Sequence, residues 1–85
     1  MKIIKKGDLK PRTEEGCLYI AVEGGSPAEL SGLDAKKLAW NERFNHGFGT
    51  AGIEGWRAPF PIETPKDSKK AATKYAIVFR IVPSL

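Results

Sequence analysis

The sequence predicts a small α+β domain: a mostly antiparallel sheet of about three strands, one or two helices on one face, and a long Gly/Pro-rich loop. Three observations lead there. Residues Lys74 to Val82 form the longest run of β-branched and aromatic residues in the chain, a strong strand signal. Residues Ser26 to Glu29 carry helix-start chemistry, and residues 47–65 concentrate glycine and proline.

Along Lys74–Val82, Tyr75, Ile77, Phe79 and Ile81 alternate with Ala76, Val78, Arg80 and Val82. Strand side chains alternate with period two, so both faces of this segment are largely apolar and it is expected to lie centrally in the sheet. Lys2 to Lys6 reads as a short first strand whose lysines suit an edge. Residues 7–16 carry Gly7, Asp8, Pro11 and Gly16, which is loop chemistry. Cys17 to Val22 is the second strand, with Leu18, Ile20 and Val22 on one face and Cys17, Tyr19 and Ala21 on the other.

Ser26-Pro27-Ala28-Glu29 places a hydroxyl at the N-cap, proline in the first turn and glutamate where a capping box needs it. Gly32 is a stop for that helix. Asp34 is read as the cap of a second helix ended by Gly47, with Leu33 and Leu38 as a hydrophobic staple and Leu33, Trp40 and Phe44 as its buried stripe. The rival reading of residues 35–46 as a strand rests on the alternation of Leu38, Trp40 and Phe44, which Glu42 interrupts. Capping favours the helix.

Residues 47–65 hold Pro59, Pro61 and Pro65 beside several glycines, so regular structure is not expected there. The same stretch carries Phe48, Ile53, Trp56, Phe60 and Ile62, too much apolar surface for a free linker. It is expected to be an ordered loop pinned over the sheet or helix. Thr64-Pro65-Lys66-Asp67 repeats the cap logic and predicts a short polar helix running to Ala72.

Composition limits the function classes. A chain of 85 residues is one domain spanning residues 1–85, with 41% hydrophobic and 28% charged residues, so wholesale disorder is not expected. A lone cysteine, Cys17, leaves no disulfide framework. No run approaches a membrane span and the N-terminus lacks an apolar signal core, so no membrane partner and a cytoplasmic location are expected.

No catalytic constellation is legible and no enzyme is predicted. Gly47-Phe48-Gly49-Thr50-Ala51-Gly52 matches G-x-G-x-x-G, but it leaves a predicted helix instead of a strand and enters a proline-rich stretch. Its glycines suit a helix stop and a tight loop better than a nucleotide, and no cofactor is expected. The single histidine, His46, has no evident nucleophile or orienting partner, Cys17 lies inside a strand, and zinc-ligand spacing is missing.

Residues 16–33, which include Gly24-Gly25-Ser26-Pro27-Ala28-Glu29-Leu30-Ser31-Gly32-Leu33, resemble the strand, turn and short helix of PDZ domains. The resemblance implies that local arrangement. A PDZ carboxylate-binding loop of Gly-Leu-Gly-Phe type would precede this segment, whereas the only Gly-Phe-Gly follows it at residues 47–49. No peptide-binding residue is carried over.

Two features remain for binding. The net charge of +4 is concentrated at the ends: residues 1–12 hold five cations against one carboxylate, as do residues 66–85, while residues 13–65 hold four against eight. If the end segments are neighbours, Lys2, Lys5, Lys6, Lys66, Lys69 and Lys70 would form a face able to meet phosphates without reading sequence. The second feature is Trp56-Arg57-Ala58-Pro59-Phe60-Pro61. Tryptophan and arginine are enriched at binding hot spots, and a proline-stiffened segment loses little entropy on docking.

The leading expectation is therefore a non-enzymatic inhibitor or adaptor that docks on another protein through Trp56, Arg57 and Phe60. Small stand-alone chains of this kind are typical of phage and mobile-element accessory proteins, and the partner could belong to a nucleic-acid-handling complex. The alternative is a nucleic-acid-binding domain that uses the basic ends. Oligomeric state is not legible.

Overall fold

A computed structural model describes residues 1–63 and 72–84. Its fold is α+β: a five-stranded antiparallel sheet with one main helix packed against one face. The strands are β1 (Lys2–Ile3), β2 (Arg12–Glu14), β3 (Cys17–Gly24), β4 (Ala51–Glu63) and β5 (Lys74–Pro83). A one-turn helix α1 (Pro27–Leu30) precedes the main helix α2 (Leu33–Glu42), which tightens into a 3-10 turn at Arg43–His46.

The sheet order is β1-β3-β5-β4, with β2 also pairing with β3. The apolar run at the end of the chain is thus an interior strand, hydrogen-bonded to β3 on one side and β4 on the other. β1 and β2 share the outer edge of β3, facing opposite ends of it. Leu18, Ile20, Val22, Phe79 and Ile81 pack under Leu30, Ala35 and Ala39 to form the core. Burying these side chains is the main force for folding, at about 1.5–3 kcal/mol for each large one.

The N-cap forms as the residues suggested: the Glu29 N–H donates to Ser26 Oγ at 3.2 Å, with Pro27 opening the turn. Gly47 ends the helical segment with φ of 80°, the left-handed conformation that glycine adopts without a Cβ penalty. Asp34, however, lies inside α2, and its cap is Gly32. The expected stripe also fails, because Leu33 and Phe44 are 70% and 61% exposed while Ala35 and Ala39 face the sheet. Small residues let the helix sit close to β3, so the larger ones are pushed to its flanks. The first strand is shorter than Lys2 to Lys6. Ile4 still donates to the Ala21 carbonyl at 2.9 Å, after which the chain turns away.

Two segments read as loops are strands. Residues Arg12–Glu14 pair with Cys17–Tyr19 through a two-residue turn at Glu15 and Gly16, both with positive φ (52° and 80°). Such a turn matches the twist of a hairpin. The larger correction concerns residues 47–65: Ala51–Glu63 is a strand despite Pro59 and Pro61. As the outermost strand it needs only one hydrogen-bonding edge, so prolines are tolerated, and three register irregularities absorb the thirteen residues of β4 against ten in β5. The sheet accordingly has five strands instead of about three, and the long loop does not exist in that form. The polar helix expected at Thr64 to Ala72 lies almost wholly outside the described residues.

Candidate functional site

The sheet face turned away from the helices carries the most concentrated set of large polar and aromatic side chains. One cross-strand row runs Arg12 (β2), Tyr19 (β3), Arg80 (β5), Glu54 (β4), each residue directly opposite the next in the ladder. Residues paired in this way lie on the same face and close enough to touch. Arg12 places its guanidinium 5.6 Å from the Tyr19 ring centre, and Arg80 binds Glu54 through both Nε and Nη2.

Trp56 joins this row because of a bulge. Gly55 pairs with Phe79, yet Arg57, two residues on, pairs with Val78, so one extra residue is inserted. A bulge re-aims side chains, and here Trp56 and Arg57 both come to the face that bears Tyr19 and Val78. Trp56 meets Tyr19 edge-on, with ring centres 5.3 Å apart and planes at 71°, and the Arg80 guanidinium lies 4.5 Å from the indole centre. A second irregularity sets Phe60 opposite Ala76, again on this face, where the Arg57 guanidinium stacks on its ring at 3.6 Å.

The floor between these large groups is made of small residues: Ala21 and Val78 are buried, as is Ala76 further along β5. A shallow cleft of about 110 Å³ results, walled by Leu9, Tyr19, Trp56 and Arg57. Lys10, Arg12 and Arg57 line it against the single carboxylate of Asp8, so it is electropositive. The Tyr19 hydroxyl first, and Glu54 after it, raise the pKa of Arg80 above its ordinary value. A raised pKa means that the charge, and whatever it contributes to the fold, persists at all pH values below the guanidinium range and is lost only above it.

Trp56, Arg57 and Phe60 are thus brought together. Trp56 is 52% exposed and Phe60 half-buried, and neither belongs to the core cluster. Tyr19, Arg12 and Arg80 complete the set. The lone arginine among the apolar residues of β5 was the visible signal for this face, whereas Tyr19 read only as one position of the second strand and Arg12 as loop.

The basic ends converge in part. β1 and β5 do not pair; they flank β3. Lys2, Lys5, Lys6 and Lys74 nevertheless line one groove of about 640 Å³ with Glu23. Lys2 lies 3.3 Å from Glu23, and Lys74 lies 4.0 Å from Glu23 and 3.5 Å from Glu63, so part of that positive charge is offset locally. Lys66, Lys69 and Lys70 are outside the described residues.

His46 and the glycine run have structural partners. His46 Nε2 sits 3.3 Å from Glu42 one turn back. Cys17 is half-buried at the start of β3. Gly47 serves as the helix stop and the Gly49 carbonyl accepts from Arg43, so the glycine run works as a helix exit. Among the described residues no cluster of His, Cys, Asp and Glu could hold a metal ion, and no helix is long and apolar enough to cross a membrane. The chain matches no protein-family model, no curated protein and no solved structure.

Proposed function

We propose that this chain is a non-enzymatic docking protein of inhibitor or adaptor type, acting in the cytoplasm, whose contact surface is the open sheet face at Trp56, Arg57 and Phe60. The observation that carries this reading is the delivery of Trp56 and Arg57 to that face by an inserted residue. A regular strand would have sent neighbouring side chains to opposite faces. Stacking on Tyr19 and Arg80 orders the tryptophan before a partner arrives, which lowers the entropic cost of binding. The excess of Lys10, Arg12 and Arg57 over Asp8 favours a partner with an acidic surface and an apolar side chain for the cleft.

The test is capture from the native cell by the tagged protein, with mass spectrometry of what is retained. Trp56→Ala and Arg57→Ala are expected to abolish capture while shifting the melting temperature by no more than a few degrees, since neither residue is in the core. A large loss of melting temperature for Trp56→Ala would return that residue to a structural role.

A second reading, nucleic-acid binding, draws on the groove that gathers Lys2, Lys5, Lys6 and Lys74. It requires retention on a DNA or RNA column that fades steeply with salt and is lost when Lys5 and Lys6 are neutralised. The local carboxylates Glu23 and Glu63 make it the weaker of the two.

A further inference from the structure

β4 is the outermost strand, so one of its edges presents main-chain groups with no strand beside it among the described residues. Proteins usually protect such edges with prolines, bulges or charge. From Trp56 onward β4 has that protection, in its register irregularities and in Pro59 and Pro61. Residues Ala51–Gly55 have neither, and their one charged side chain, Glu54, is paired with Arg80. Their pairing with β5 is regular, from Ala51 opposite Pro83 to Gly55 opposite Phe79, and they contain no proline. This stretch is about 17 Å of open, straight strand.

On the helix side the open stretch is bordered by a groove of about 320 Å³ lined by Leu33, Lys36, Lys37, Trp40 and Ile53. It arises because α2 packs chiefly over β1, β3 and β5, leaving Ala51 and Ile53 at the start of β4 only partly buried. Leu33 is 70% exposed at the mouth of this groove. Both lysines are exposed, and the lining contains no carboxylate. Glu54, within the stretch, is engaged by Arg80 on the opposite face of the sheet.

We propose that Ala51–Gly55 is a strand-addition site for an extended acidic peptide. The peptide main chain pairs with the free edge of β4, an apolar side chain enters between Leu33, Trp40 and Ile53, and flanking carboxylates meet Lys36 and Lys37. Charge selects this occupant over a second copy of the chain. Two-fold pairing of β4 with β4 would put the helices of both copies on one side of the joined sheet and bring lysine pair towards lysine pair. The site is on the face opposite Trp56, so it stands or falls independently of the docking surface proposed above.

The experiment is a titration of the ¹⁵N-labelled full chain with the peptide acetyl-Glu-Thr-Leu-Thr-Glu-Thr-amide, followed by amide NMR. Expected are saturable shifts at Ala51–Gly55 and Leu33–Trp40, slowed amide exchange within Ala51–Gly55, and the same behaviour in Trp56→Ala. Two versions of the peptide, N-methylated on alternate amides, should differ sharply, because only one set faces β4. The double variant Lys36→Glu/Lys37→Glu should weaken binding about tenfold or more. Three results would each overturn the proposal: no saturation at millimolar peptide, equal binding by both N-methylated peptides, or concentration-dependent shifts at Ala51–Gly55 without peptide, which would identify a second copy as the occupant.

Discussion

Arg43 is the residue whose role is least apparent from its type. It is the one charged side chain among the described residues that is buried. Its Nε donates to the Gly49 carbonyl at 2.8 Å and its Nη1 to the Trp40 carbonyl at 2.6 Å, while the guanidinium lies 3.6 Å from the Trp40 ring centre and 4.0 Å from that of Phe44. It thereby satisfies a carbonyl in the last turn of α2 and ties the helix to the chain entering β4. Arg43→Ala is expected to cost about 2–4 kcal/mol, from charge-assisted hydrogen bonds and lost stacking. Arg43→Lys should recover only part, because an ammonium cannot fill the same fork. Urea denaturation of both variants checks this. Glu15 offers the opposite sign. It occupies the left-handed region at φ of 52°, which disfavours a side chain of its type, so Glu15→Asn should raise stability by about 0.5–1 kcal/mol, read as a higher denaturation midpoint at unchanged m-value.

At the scale of elements, the short helix α1 is anchored by Leu30, a member of the core cluster. Leu30, fully buried, packs against the end of β3 at Gly24, where an added Cβ would lie 2.9 Å from Leu30 Cδ2. Gly24→Ala should therefore destabilise by about 1–3 kcal/mol, since a leucine enclosed on all sides has little room to withdraw. Thermal melts of Gly24→Ala and of Gly25→Ala, where the nearest atom is the end of the Glu29 side chain at 3.8 Å, make the comparison. The elements also differ in how legible they were. α1 is specified by Ser26, Pro27 and Glu29, whose chemistry acts within four residues. β5 is specified by its own apolar run. β4 was hidden, because Pro59 and Pro61 forbid a central strand but not an outer one, and position in the sheet is not a local property. The Glu15–Gly16 turn was hidden for a different reason: glutamate is an uncommon choice where both turn residues need positive φ.

For the whole molecule, the shortest extent is 17 Å against 48 Å for the longest. That thickness holds one sheet and one layer of helix, so among the described residues the face bearing Trp56 has no second layer over it. Stability is accordingly concentrated. Amide exchange should be slowest for Leu18–Val22 and Phe79–Ile81, which share the core, and fastest within β4 for residues 56–63, which are mostly exposed on an interrupted outer strand. Uniform protection along β4 would show that the irregular half is held more firmly than its contacts indicate.

By itself the amino-acid sequence determined the fold class, the interior position of the last strand, the capped start of α1 and the stop at Gly47, and it placed Trp56, Arg57 and Phe60 within one short segment. Those features depend on residues near one another in the chain, through period, capping and backbone freedom. Only the tertiary structure decided that Arg12, Tyr19 and Arg80 join that group, that Lys2 and Lys74 share a groove with Glu23, and that a proline-bearing segment closes the sheet. Each depends on which strands lie side by side and in what register, and register is set by how the whole set of side chains fills one small core.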